Sequence, residues 1–111
     1  MTRLQRCLVA AALGWLGAGG ASAQNEQALR ARSLAATCAA CHGTDGRATD
    51  GTALPGLAGV PAPYLAEQMR SFKSGARAGS VMPQLAKGFS DAQIETLAAW
   101  FAARPAAAAK P

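Results

Sequence analysis

The 111-residue sequence predicts a small all-α domain in which long loops join three main helices. Residues 25–37 are rich in helix-forming residues and contain no Gly or Pro. Residues 64–73 carry apolar side chains at helical spacing, and residues 90–103 begin with a capping box. The two stretches between these windows are rich in Gly and Pro, which is typical of turns and loops.

The first predicted helix covers residues 25–37 and leads directly into a cysteine-containing motif. Leu29, Leu34 and Ala36 are expected to pack inward from this helix. Gly43 is expected to end the helical stretch, because a glycine readily adopts the left-handed conformation found after many helices.

The motif itself is Cys38-Ala39-Ala40-Cys41-His42, which has the C-x-x-C-H pattern of covalent haem attachment. On a helical turn, both thiols face the rigid edge of one porphyrin, where each can add across a vinyl group. The histidine that follows is then held close to the metal axis. We therefore expect Cys38 and Cys41 to attach one haem c and His42 to bind its iron.

Two other chemistries use the C-x-x-C spacing. A thioredoxin-like dithiol is expected near a βαβ pattern, which this sequence does not show. A zinc half-site needs two further ligands, but His42 is the only histidine, and the third cysteine, Cys7, lies in a segment that we expect to be removed.

That segment, residues 1–23, has the pattern of a secretory signal peptide. Arg3 and Arg6 form a basic start, residues 8–18 form an apolar run, and Ala21-Ser22-Ala23 offers a small-residue cleavage site. We expect cleavage after Ala23 and a periplasmic mature protein without a membrane span. An uncleaved membrane anchor is the alternative.

The mature chain would be one small domain over residues 24–105, followed by a flexible tail at 106–111. A chain this small buries little apolar surface, so a covalently bound haem would complete its core. Without Arg3 and Arg6, nine basic residues face six acidic ones, a net charge of +3. No basic run interleaved with aromatic residues is present, which argues against nucleic-acid binding.

Residues 43–63 form a turn-rich loop that we expect to wrap around the haem. A ligating imidazole usually donates its other N–H to an acceptor that fixes the ring orientation. A backbone carbonyl of this loop, such as that of Pro55, is the predicted acceptor for His42.

The mature chain contains two methionines that could supply a second axial ligand, Met69 and Met82. Leu65, Met69 and Phe72 share one face of the predicted middle helix, where a methionine usually fills the core. Met82 lies in the second predicted loop, and Pro83 biases it toward an extended conformation. We therefore predict Met82 as the ligand.

The last helix is predicted from Ser90 to about residue 103. Ser90 and Gln93 form the capping box, and Asp91 places a negative charge in the first turn. The expected inward stripe consists of Ile94, Leu97, Ala98 and Phe101.

This order of parts resembles a class I cytochrome c over nearly the whole mature chain. The strings that carry the resemblance are Cys38-Ala39-Ala40-Cys41-His42-Gly43, Tyr64-Leu65, Phe72-Lys73-Ser74-Gly75, Met82, Ala86-Lys87-Gly88-Phe89-Ser90 and Leu97-Ala98-Ala99-Trp100-Phe101. They look most like the cytochrome subunit of flavocytochrome c sulfide dehydrogenase and the half-domains of tandem two-haem cytochromes, although this chain has one haem motif. The resemblance implies His42 and Met82 as axial ligands, thioethers at Cys38 and Cys41, and Pro55 as the carbonyl partner.

The function implied is periplasmic transfer of single electrons between redox partner proteins, without catalysis by this chain itself. Three alternatives stay open at this point. The domain could be the haem subunit of a sulfide-oxidising flavoprotein complex, a sensor or peroxidase-like protein with an open iron site, or a thiol protein without haem.

Overall fold

The computed structural model describes residues 18–106 of the chain, and the side chains of residues 20–106. Within this part there are five α-helices and no β-strand. They are α1 (Ala18–Ala36), α2 (Ala39–His42), α3 (Ala62–Ser74), α4 (Met82–Lys87) and α5 (Asp91–Ala102), with a 3₁₀ turn at Thr44–Gly46. The predicted all-α fold with three main helices is therefore confirmed. Most of the predicted signal peptide and tail lies outside the described residues.

The chain divides into two units, Met1–Arg30 and Ala31–Pro111. In the first unit, residues 20–30 are exposed, and Arg30 and Glu26 form an ion pair one helical turn apart. In the second unit lie the cysteine motif, α2 to α5 and the buried core. Among the described helices, none combines the length and the apolarity needed to cross a membrane.

The predicted inward face of helix α1 is confirmed at Leu34 and wrong at Leu29 and Ala36. Leu29 is 54% exposed and Ala36 is also exposed, whereas Ala35 is buried and Leu34 is half-buried. A helix this rich in alanine and arginine has little apolar contrast between its faces, so its sequence does not determine which face is buried. α1 also ends at Ala36, and a turn at Thr37 and Cys38 separates it from α2.

The core lies between α3, α5 and the end of α1. Two buried clusters form it: Ala35, Leu97 and Phe101 in one, and Ala66, Ile94 and Ala98 in the other. The predicted stripe of α5 is therefore confirmed. Leu65 and Met69 of α3 are half-buried and pack against both clusters.

The segment after α3 differs from the prediction at Met82. Gly75 ends α3 in a left-handed conformation (φ 85°), as expected for a glycine. Met82, however, is the first residue of the short helix α4 rather than part of a loop. Proline is tolerated in the first turn of a helix, where its missing N–H would have had no partner in the helix, so Pro83 permits this short helix.

Candidate functional site

The predicted haem-attachment motif occupies a single tight turn. Cys38 follows α1 and donates its backbone N–H to the Ala35 carbonyl (3.0 Å). Its own carbonyl accepts the backbone N–H groups of Cys41 (3.3 Å) and His42 (3.0 Å). These bonds place both thiols and the imidazole within one helical turn, which is the arrangement that the motif requires.

Both cysteines in the described part are free thiols. Cys41 is exposed and Cys38 is half-buried. Burial raises the pKa of the Cys38 thiol, and a weaker opposing effect comes from the hydroxyl of Thr37. The thiols are thus available for covalent attachment and differ in their surroundings.

The histidine of the motif is held by a residue of the following loop. His42 is 9% exposed, and its Nδ1 lies 2.7 Å from the carbonyl oxygen of Pro55. A carbonyl only accepts, so Nδ1 must carry the proton and donate. The lone pair of the neutral ring is then on Nε2, which is the atom suited to bind a metal.

The loop that brings Pro55 to His42 is fixed at its two ends. At the start, Gly43 has φ 83°, and a Cβ there would lie 1.8 Å from the Arg47 carbonyl oxygen. At the end, the carbonyl of Gly46 accepts the backbone N–H groups of Leu57 (2.8 Å) and Ala58 (3.1 Å). The loop therefore closes on itself next to Pro55.

This closed loop is also attached to the last helix. Gly59 donates its backbone N–H to the carbonyl of Phe101 (2.9 Å), and a Cβ at Gly46 would lie 2.8 Å from the Phe101 ring. A side chain longer than hydrogen does not fit at Gly46. The position of the Pro55 carbonyl thus depends on a glycine that no sequence motif singles out.

The two methionines lie in different surroundings. Met69 is on α3 and packs against both buried clusters. Met82 is half-buried at the start of α4, which packs against α3. Of the five predicted site residues, four lie in the motif turn and its loop, and Met82 lies on a separate segment.

The donor set and the apolar surroundings both fit a haem. Two free thiols and an imidazole with its Nδ1 already engaged are the groups that a covalently bound haem uses. Four large apolar side chains are also 44–56% exposed. They lie in the loop (Leu54), in the first turn of α3 (Tyr64), at the N-cap of α4 (Val81) and within α4 (Leu85). A large apolar macrocycle would cover side chains of this kind.

Comparison with known proteins identifies relatives of this chain. The family model described as subunit III of cbb3-type cytochrome c oxidase matches residues 23–101. The thiosulfate dehydrogenase electron acceptor of Thiomonas intermedia is 46% identical over 67 residues, which are 60% of this chain and 31% of that protein.

Two further relatives are closer to this chain in length. The cytochrome subunit of sulfide dehydrogenase from Chlorobaculum tepidum is 35% identical over 65% of this chain and 64% of that protein. Cytochrome c-554(548) of Halomonas halodenitrificans is 37% identical over 61% of this chain and 84% of that protein. The chain thus spans about a third of the Thiomonas protein and most of the Halomonas protein.

Proposed function

Because this chain belongs to the cytochrome c family, we propose that it carries single electrons in the periplasm. The family model that shows this membership is the one described as subunit III of cbb3-type cytochrome c oxidase. Membership of this family implies covalently bound haem c. The resemblance to class I cytochromes c is thereby confirmed, and it includes the sulfide dehydrogenase subunit as a relative.

The observation that carries the proposal is the hydrogen bond between His42 and Pro55. Cys38 and Cys41 would hold the haem through thioether bonds, and His42 would bind its iron through Nε2. Since Nδ1 donates to a fixed carbonyl 2.7 Å away, the ring cannot rotate freely, and its basicity toward a metal is increased.

Met82 is our candidate for the second axial ligand. Its support is its half-buried position outside the core clusters, whereas Met69 is packed against both of them. A thioether in this role favours the reduced state and raises the reduction potential.

Haem c, when bound, supplies a one-electron Fe(II)/Fe(III) couple. The protein's residues would provide two ligands, His42 and Met82, so that neither oxidation state would require the chain to rearrange. They also exclude water from the buried His42 and hold one proton on its Nδ1. If His42 and Met82 both bind the iron, they would leave no coordination site open to a substrate.

The partner proteins that we propose are oxidoreductases of inorganic sulfur compounds and their acceptors. The name of the Thiomonas relative supports a role as an electron acceptor. The name of the Chlorobaculum relative supports a second candidate function, the haem subunit of a sulfide dehydrogenase, for which we propose a flavoprotein as the other subunit. Isolation of the protein from its native periplasm separates the two. A stoichiometric flavoprotein would co-purify with the subunit and would be absent from the free carrier.

The first experiment expresses the full chain together with haem-attachment machinery. The purified protein should weigh one haem more than its amino acids, and His42→Ala should abolish the spectrum of a low-spin haem. A mass equal to that of the bare mature chain would overturn the proposal in favour of a haem-free thiol protein.

The second experiment compares Met82→Ala with Met69→Ala. The oxidised protein should show a weak absorption band at the red end of the spectrum, and only Met82→Ala should abolish it. Loss in Met69→Ala alone would reverse the assignment. Ready binding of carbon monoxide or cyanide by the unmodified protein would instead indicate an open iron site, as in a sensor or a peroxidase-like protein.

A further inference from the structure

The segment that carries Met82, residues 75–89, has little apolar burial of its own. We call it the Met82 segment. Its only buried residue is Ala86, and residues 75–81 are all exposed. Chain segments with few buried contacts open easily unless specific interactions hold them. The position of Met82 must therefore depend on particular contacts with the rest of the domain.

The beginning of the Met82 segment is attached to the end of α3. Arg77 donates its backbone N–H to the Ser71 carbonyl (3.0 Å), and its guanidinium lies 4.6 Å above the centre of the Phe72 ring. The same guanidinium donates to the side-chain oxygen of Gln68. These contacts join residues that are close in sequence. They fix the position of the first residues of the Met82 segment but do not hold its far end.

The far end is held by half-buried Phe89, which packs against both core clusters, and by one polar side chain, that of Lys73. The Lys73 Nζ donates to the carbonyl of Phe89 (2.8 Å), the last residue of the segment, and to Oδ1 of Asp91 (2.9 Å), the first residue of α5. The Lys73 side chain is 33% exposed. Hydrogen bonds from a charged donor in such a half-buried place are stronger than those between neutral groups. Lys73 thus links the end of α3, which precedes the Met82 segment, to the residues at the far end of the segment.

A second ion pair joins the same two helices without touching the segment. Arg70 of α3 pairs with Glu95 of α5, and both side chains are about half exposed. This pair is a matched control, because it shares the helices and the charge types but lies outside residues 75–89. Arg70 also exerts a charge effect on Asp91, but this effect is the smallest one on that carboxyl, so an effect of equal size in both pairs would reflect general stability.

We propose that Lys73 is a positioning residue for Met82. By binding the last carbonyl of the Met82 segment and the first carboxylate of α5, it fixes where the segment ends and so keeps the Met82 thioether in place. This inference rests on the proposed role of Met82 as an axial ligand. Lys73 itself touches neither the thiols nor the imidazole of the motif and acts only through the chain between its two partners.

The test uses the haem-loaded protein and imidazole as a competing ligand. Lys73→Met keeps the apolar stem and removes all three N–H donors, and it should strengthen imidazole binding about tenfold, equivalent to about 1.4 kcal/mol. The absorption band at the red end of the spectrum should also weaken in Lys73→Met. Arg70→Gln should leave both readouts within about twofold, well below that tenfold step. Lys73→Arg should restore most of the original behaviour, because a guanidinium can also donate to both acceptors.

Asp91→Asn gives a variant with little risk of misfolding, since Asp91 is exposed and Lys73 keeps its bond to Phe89. Its imidazole affinity should fall between those of the unmodified protein and Lys73→Met. Equal changes in Lys73→Met and Arg70→Gln would overturn the positioning role and leave Lys73 as an ordinary stabilising ion pair.

Amide hydrogen exchange separates this inference from the proposed function. Lys73→Met should accelerate exchange in residues 84–88, whereas Arg70→Gln should not. If Met82→Ala leaves the absorption band and imidazole affinity unchanged, the ligand assignment fails, and the positioning of a ligand fails with it. If Met82→Ala abolishes the band but Lys73→Met changes neither exchange nor imidazole affinity, only the inference about Lys73 is overturned.

Discussion

Gly46 shows how one residue without a side chain determines the position of a functional group. Its carbonyl binds the two backbone N–H groups that follow the Pro55 region, and its Cα faces the ring of Phe101. With φ 75°, Gly46 also has a backbone conformation that L-residues rarely adopt. The orientation of the His42 imidazole therefore depends on a residue that contacts neither the imidazole nor Pro55 through a side chain.

Gly46→Ala should destabilise the protein more than Gly51→Ala. Gly51 has φ 78°, and a Cβ at this position would have no other atom within 4 Å, so alanine there should cost about 1 kcal/mol from the left-handed backbone alone. At Gly46 the overlap with Phe101 and Ala58 should add about 2 kcal/mol. Urea unfolding of the two haem-loaded variants measures the difference. Equal unfolding midpoints would show that the loop accommodates Gly46→Ala without an additional loss of stability.

The motif could be recognised because its chemistry is local, whereas its supporting contacts are not. Cys38, Cys41 and His42 are adjacent in sequence, and their spacing alone predicts haem attachment. Pro55 is 13 residues from His42, and a loop carbonyl was expected there from the needs of a ligating imidazole. The contacts of Lys73 cannot be predicted from the sequence, because its partners are 16 and 18 residues away and no sequence pattern connects them.

At the scale of the helices, α5 is the element that its sequence specifies most completely. The Ser90 hydroxyl accepts the Gln93 backbone N–H (3.2 Å), and the Gln93 side chain accepts the Ser90 backbone N–H (2.8 Å). This capping box and the stripe of buried residues agree in register. In α1 no such agreement exists, and two of the three predicted inward residues, Leu29 and Ala36, are exposed.

Ser90→Ala should lower the free energy of unfolding by about 1 kcal/mol, because the Gln93 backbone N–H loses its acceptor at the start of α5. Ser80→Ala, an exposed serine of the Met82 segment, should change it by less than about 0.5 kcal/mol. Thermal unfolding followed by circular dichroism measures both. Equal effects at the two serines would mean that the capping box adds nothing to stability.

The start of α5 should also give the protein an acid-sensitive component of stability. The hydrogen bond and charge of Lys73 hold the pKa of the Asp91 carboxyl below its usual value. On acidification the unfolded chain therefore binds this proton before the folded one does. The stability contributed by Asp91 is present above the carboxyl's ordinary pKa and is lost as the pH falls through its lower folded-state value.

Asp91→Asn should accordingly reduce the loss of stability between neutral and acidic pH. Urea unfolding of both proteins across that range measures the dependence, and identical slopes for the two would contradict the role of this ion pair. At neutral pH the variant should be the less stable protein, since the asparagine cannot pair with the charge of Lys73.

The core of the second unit contains few large apolar side chains in the described part of the chain. Of its seven buried apolar residues, four are alanines, and Ile94, Leu97 and Phe101 are the only large ones in the described part. Half-buried side chains surround these clusters. Small domains of this kind need an additional stabilising group, and the haem would provide it.

The double variant Cys38→Ala/Cys41→Ala removes both attachment points and should lose cooperative unfolding. Circular dichroism should show a shallow thermal change in place of a sigmoidal transition, because the remaining clusters bury too little apolar surface. A sharp transition at the midpoint of the haem-loaded protein would show that the polypeptide folds without its prosthetic group.

The loop between the two anchor points at Gly46 and Leu57 has an outward-facing tip. Residues 49–53 are exposed, and Gly51 faces open space. Because the carbonyl of Gly46 accepts the backbone N–H groups of Leu57 and Ala58 and so closes the loop behind this tip, additional residues after Gly51 should extend into solvent without displacing Pro55. The tip is therefore a suitable point at which to attach the protein to an electrode, with its redox group kept in its native surroundings.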